Sequence, residues 1–72
     1  MNAPRHSVLQ WVAVRHGVTK DDLRGPSRKP HLVRARWEAM AILREHGLSL
    51  PAIGLMFNRH HTAVLHGLRR AG

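Results

Sequence analysis

The polar chemistry of this chain is concentrated in two short stretches, Arg-His-His-Thr at 59–62 with His66 a turn further on, and Ser-Arg-Lys at 27–29. Imidazole, hydroxyl and guanidinium groups at such spacing can ligate a metal, or they can hydrogen-bond to phosphates and base edges. A helical metal site usually places its histidines at i and i+4. His61 and His66 are five residues apart and His60 points elsewhere, so the seven histidines are expected to build neither a metal-dependent hydrolase nor a metal sensor, and no cofactor is expected. There is no cysteine, which removes thiol nucleophiles, disulfides and cysteine-ligated zinc fingers together and suits a reducing cytoplasm. Recognition of a polyanion is what remains. Only Lys20 and Lys29 are lysines among the twelve basic residues, and the planar fork of arginine matches phosphate and guanine edges where lysine is a point charge.

The elements that must position these groups are legible as helices punctuated by Pro and Gly. Val8, Trp11, Val12 and Arg15 fall at helical spacing in a first segment begun by Pro4 and ended by Gly17. Thr19 followed by Asp22 has the form of a capping box, with two acids at the positive end of a single-turn helix over Lys20 to Arg24. Gly-Pro-Ser-Arg-Lys-Pro at 25–30 cannot continue a helix and reads as an exposed, semi-rigid basic loop. From His31 to about His46, Leu32, Ala35, Ala39, Ile42 and Leu43 form one stripe, with Arg34, Glu38, Arg44 and Glu45 mostly off it. Gly47 stops this helix. Ser49 is placed to cap the next, with Pro51 in its first turn, Ile53 and Met56 inward and an end near Phe57. Asn58 to His60 form a turn. In the last helix Ala63, Val64, Gly67, Leu68 and Ala71 share one face, while His61, Thr62, His66, Arg69 and Arg70 lie on or near the other. Val64, Leu65, Leu68, Ile53, Met56 and Phe57 are the expected core at this end. Two helices joined by a turn of about three or four residues, the second presenting polar side chains from its N-terminal end, form a helix-turn-helix.

Size and charge agree. Seventy-two residues make one domain with one small core and no room for the deep pocket most enzymes use, so the chain is not expected to be an enzyme. Twelve Lys and Arg against four Asp and Glu give a formal charge of +8, which calls for a polyanionic partner. Three aromatic residues are too few for a membrane-surface helix, and neither a spanning segment nor a signal peptide is expected.

The stretch Leu-Ser-Leu-Pro-Ala-Ile-Gly at 48–54, then Phe57, then Arg-His-His-Thr-Ala-Val-Leu-His at 59–66, closely resembles the C-terminal DNA-binding domain of the bacterial replication initiator DnaA. Val-Arg-Ala-Arg at 33–36 with Ala39-Met40, Ser-Arg-Lys at 27–29 and Asp-Asp-Leu at 21–23 follow in the family's order, so the likeness runs over roughly residues 8 to 70. The resemblance implies an all-α fold, a small bundle of about five helices with a helix-turn-helix at about 49–71, DnaA C-terminal domain-like and Trp-repressor-like. It also implies a duplex ligand, the short and mostly A·T-rich DnaA box. On it, Arg28 is the loop arginine that enters the adjacent minor groove, with Lys29 beside it. His61 and Thr62 are the major-groove readers. Leu50 and Pro51 start a helix that touches thymine methyls or phosphate, and Arg34, Arg36 and His66 are backbone contacts. Arg59 meets phosphate, unless it pairs with Glu38 or Glu45. Trp11 and Trp37 have no obvious family counterpart, and since indole is costly to expose they are read as packing or as a contact to a replication or transcription protein.

Three departures matter. Phe57 is followed by Asn58 alone where the family carries two small residues, which shortens the turn by one and implies a slight rotation of the recognition helix. The family's acidic residue before the His-Thr pair is His60 here. An aspartate there would cap the helix and accept from a cytosine amino group; the cap therefore passes to Asn58, and His60 is left to donate to guanine or to phosphate. Ala63 replaces a threonine and keeps only a methyl for thymine. No Gly-x-x-x-x-Gly-Lys-Ser/Thr loop is present, so the chain is not expected to be a whole initiator. It is read as a free-standing protein, of a phage or mobile element, or as an excised domain. The expected activity is sequence-specific duplex binding by a monomer, cytoplasmic and nucleoid-associated, in replication initiation or its regulation. The alternative is an accessory or transcription regulatory protein that binds duplex without reading it or with an altered site preference.

Overall fold

The computed structural model describes residues 5–71, with side chains from residue 7 onward. The start proposed at Pro4 lies outside the described residues. Five helices follow one another: α1 (Arg5–His16), α2 (Lys20–Arg24), α3 (Pro30–Glu45), α4 (Leu50–Met56) and α5 (His61–Ala71). No strand occurs among the described residues, so the all-α expectation holds.

Local chemistry accounts for most of the boundaries. In the capping box ahead of α2, the Asp22 amide donates to Thr19 Oγ1 at 3.0 Å and the Thr19 amide donates to Asp22 Oδ2 at 3.0 Å. Ser49 Oγ accepts from the Ala52 amide at 3.2 Å and caps α4. Gly17 (φ 67°) and Gly47 (φ 90°) take the left-handed conformation that ends α1 and α3. Beside them, the next amides, of Val18 and Leu48, reach back to the carbonyls of Ala13 and Leu43. α3 starts one residue earlier than the periodicity placed it. Pro30 occupies its first position, where the missing N–H has no intrahelical partner to lose, so the basic loop is one residue shorter.

α3 is the central post. α1 and α5 pack along it, α2 closes one end, and α4 leans on α5. The core joins Val8, Leu9, Val12 and Ala13 of α1, Leu23 of α2, Ala35, Ala39, Met40 and Leu43 of α3, then Ile53, Phe57 and Val64. Phe57, at 0% exposure, plugs the junction of α4 with the turn. Of the expected core at this end, Met56 and Leu68 are half-buried, and Leu65 is exposed. The reason is geometric: α5 meets α3 through Val64, Gly67 and Leu68, and Leu65 lies about 100° around the helix from Val64. Ala63 and Ala71 are likewise exposed rather than inward.

Two close approaches fix how these helices meet. A Cβ on Gly67 would lie 2.7 Å from Trp37 Cδ1 and 3.0 Å from Met40 Sδ, so α5 sits against α3 at a spacing that only glycine permits. A Cβ on Gly54 would collide with the Arg59 carbonyl oxygen, where the chain doubles back across α4 and the Arg59 amide donates to Gly54 O at 2.8 Å. Trp37 is thus a packing residue, half-buried against α5. Trp11 is 56% exposed, with the Arg15 guanidinium 5.4 Å from its ring.

Candidate nucleic-acid interface

The basic loop has no regular structure of its own, and its shape comes from one buried side chain. Arg36 stands on the inward stripe of α3, only 4% exposed. Its Nε donates to Leu23 O at 2.8 Å, its Nη2 to Asp22 O at 2.9 Å and Gly25 O at 3.0 Å, and its Nη1 to Ser27 O. Four carbonyls with no helical partner are satisfied by a single guanidinium. Burial is the main influence pulling the Arg36 pKa down from its usual value, helped by the nearby Arg59 charge and opposed by Asp22; an arginine stays protonated through such a shift. The expectation that Arg36 contacts a DNA backbone is therefore corrected: the group is enclosed and its donors are spent inside the protein. The sequence held a signal for this, because position 36 continues the spacing of Leu32, Ala35, Ala39, Met40 and Leu43.

Arg59 is also held internally. It donates from Nη2 to Gly25 O at 2.7 Å and from Nη1 to Phe57 O. It pairs with neither Glu38 nor Glu45. Instead the Gly25 carbonyl accepts from both Arg36 and Arg59, and this one oxygen ties the basic loop to the turn of the helix-turn-helix. Arg28 and Lys29, at the tip, are exposed, and the Lys29 amide donates to Ser27 Oγ at 3.3 Å to tighten the bend.

α5 opens with a histidine cap. The Thr62 amide donates to His60 Nδ1 at 3.3 Å, and Thr62 Oγ1 lies 3.0 Å from the same nitrogen. The expectation that the cap passes to Asn58 is thus corrected. Asn58 serves the turn instead, at φ 55°, a left-handed conformation that asparagine tolerates better than most residues. The His60 and His61 rings lie against each other with centroids 4.1 Å apart and planes tilted by 37°. His61, Thr62, Ala63 and His66 are exposed along the face that follows, and His66 meets the Trp37 ring edge-on at 6.4 Å.

A cleft of about 930 Å³ separates loop from helix. Arg24, Pro26 and Arg28 line one side, Asn58, Arg59, Ala63 and His66 the other, and Val33, Arg36, Trp37 and Met40 of α3 complete it. None of the four acidic residues borders it. The structure therefore brings Arg28 together with Arg59, Ala63 and His66. It does not bring Arg34 there; that side chain borders a second depression beside Glu38, Glu45 and Arg70. Leu50, half-buried, and exposed Pro51 lie at the start of α4. Among the described residues no three His, Cys, Asp or Glu side chains gather as metal ligands, and no helix is long and apolar enough to cross a membrane.

Residues 6–71 match the family model described as the bacterial dnaA protein helix-turn-helix. The chain is similar to the chromosomal replication initiator protein DnaA of Picosynechococcus sp., 40% identical over 67 residues, which is 90% of this chain and 15% of that protein. It is also similar to the proteins of the same name from Desulfatibacillum aliphaticivorans, 40% identical over 62 residues, 85% of this chain and 14% of that protein, and Deinococcus radiodurans, 38% identical over 66 residues, 88% and 14%. The chain thus spans about a seventh of the length of these relatives, and the likeness falls on the helix-turn-helix and not on the rest of them.

Proposed function

The chain belongs to the bacterial DnaA helix-turn-helix family, and from that premise we propose that it binds double-stranded DNA sequence-specifically at a DnaA-box-like site. The N-terminal half of α5 occupies the major groove while the tip of the basic loop enters the neighbouring minor groove. The observation that carries this reading is the shared cleft: Arg28 of the loop and Ala63 and His66 of α5 line it together, with loop and turn joined through the Gly25 carbonyl and no acidic residue along it.

In this arrangement His61 and Thr62 read base edges and Ala63 offers a methyl to thymine. Arg28 sits where A·T-rich DNA has a narrow groove of enhanced negative potential. Lys29, His66 and the α4 start at Leu50 and Pro51 position the phosphates, with Arg34 a peripheral contact. Arg36 and Arg59 act from within, holding the loop and adding charge to the field. No dyad partner is needed for an asymmetric site, so one copy binds one site, in the nucleoid, in replication initiation or its regulation.

The test is fluorescence anisotropy with a duplex carrying a DnaA box and a scrambled duplex of equal composition, over a salt series. The expected result is a preference of about tenfold or more that survives as salt rises, since base contacts specify and phosphate contacts position. Equal affinities falling steeply with salt would overturn base readout. They would favour the second reading, a duplex binder that does not read sequence, for which the +8 charge is the specific support.

A further inference from the structure

We infer that His60 determines specificity, reading a guanine through its Nε2–H at the first step met by the recognition helix. This rests on the sequence-specific reading above and deepens it. The argument begins with the cap. A backbone N–H can only donate, so the 3.3 Å contact from the Thr62 amide makes His60 Nδ1 the acceptor. A neutral imidazole whose Nδ1 accepts carries its proton on Nε2. The cap therefore sets the tautomer, and Nε2–H is a donor with no partner among the described residues, on an exposed side chain immediately before the first helical residue. In a helix-turn-helix that end of the recognition helix meets the base edges.

The ring is also held in orientation. Nδ1 is anchored by Thr62 on one side, and one face lies against His61 at 4.1 Å, so little side-chain entropy is left to lose on binding. The unit that meets the groove is the His60–His61 pair, with His60 supplying a donor. A carboxylate at the same position would cap equally well but offers acceptors only, and the base that satisfies it is cytosine through its amino group. Exchanging acceptor for donor inverts the requirement. Guanine presents two acceptors side by side, N7 and O6, whereas adenine places a donor beside its N7 and thymine a methyl beside its O4. A histidine donor is thus served best by guanine, where a carboxylate would be served by cytosine.

The experiment is selection from a randomised duplex library with three proteins: wild type, His60→Asp and His60→Ala. His60→Asp keeps a good N-cap, so its folding does not confound the result, and melting curves check that both variants are folded at the selection temperature. The wild-type consensus is expected to contain guanine at one step adjoining the A·T-rich part. His60→Asp should replace it there by cytosine, and His60→Ala should lower discrimination at that step alone by about fivefold to tenfold. A wild-type consensus that His60→Ala leaves unaltered at every step, with affinity merely lowered, would make His60 a phosphate contact and overturn the inference while sparing the function proposed above. If wild type enriches no sequence, the sequence-specific reading fails and this inference fails with it.

Discussion

Arg28 and Arg36 stand eight residues apart and carry the same side chain into opposite environments. Arg28, at the exposed tip of the loop, is expected to act on DNA alone. Arg28→Ala should weaken duplex binding by about 1–3 kcal/mol and leave the melting temperature where it was, because an exposed loop side chain contributes under about 0.5 kcal/mol to stability. Arg36 is expected to act on the fold. Removing it as Arg36→Met leaves the carbonyls of Asp22, Leu23 and Ser27 without their donor, Gly25 keeping Arg59, a loss of about 3 kcal/mol, read as a lower urea midpoint. Arg36→Lys should recover little of it, since one ammonium cannot reach carbonyls spread along residues 22 to 27. A Lys variant with wild-type stability and weakened DNA binding would return Arg36 to the phosphate role. The amphipathic spacing of α3 already counts position 36 as inward, but a charged residue at an inward position reads equally well as the edge of the stripe. What decides is the set of carbonyls of residues 22 to 27 turned toward it, and these come together only once the end of α2 and the loop have folded.

Among the elements, those closed by side chains of familiar type were legible and those closed by tertiary contacts were not. The capping box at Thr19 and Asp22, the Ser49 cap and the glycine stops at 17 and 47 depend on residue type at fixed offsets, so the sequence displays them. The His60 cap depends on the direction of one ring nitrogen. Nothing in residue type distinguishes it from an outward-facing histidine, whereas asparagine is a familiar capping type, so the sequence alone points to Asn58. The α2 cap gives a pH test. Asp22 accepts from the Thr19 amide, and this bond foremost, then the one with the Thr19 hydroxyl, holds its carboxyl below its ordinary value of 3.8. A depressed folded-state pKa means that the unfolded chain takes up the proton first. The stabilisation is complete above the ordinary carboxylate range and is lost as pH falls through the folded value. Thermal melts across that range should show a smaller acid-side loss for Asp22→Asn than for wild type, and an unchanged slope would remove Asp22 from the linkage. The turn makes a harder demand: Gly54→Ala sets a Cβ against the backbone of Arg59, which cannot step aside as a side chain can, and should cost about 3 kcal/mol.

Across the whole molecule, charge and helix spacing serve one surface. The four acids lie elsewhere, with Asp21 and Asp22 in the first turn of α2, Glu38 bonded to Arg15 at 3.0 Å and to His16 at 3.3 Å, and Glu45 bordering the second depression. The cleft is lined by arginines and by no acid, and attraction to any duplex follows from such a field. Discrimination between duplexes needs more, namely that loop and recognition helix keep a set distance, and that distance is carried by α3. The loop hangs from it through Arg36, and α5 is seated on it where Gly67 meets Trp37. Gly67→Ala separates these contributions. Alanine is favoured over glycine in a helix by about 1 kcal/mol, yet its Cβ would press to 2.7 Å from Trp37 Cδ1, so the variant should be less stable by about 1–2 kcal/mol. If it remains folded, the Trp37 ring must shift or α5 must stand further from α3, and in the second case further from Arg28 as well. Affinity for a specific site should then fall more than affinity for a scrambled duplex, with the salt slope nearly unchanged, because the charges remain and only their registration is lost. An equal fall on both duplexes would mean that the loop and α5 bind independently, and the cleft would lose its place as the organising feature of the surface.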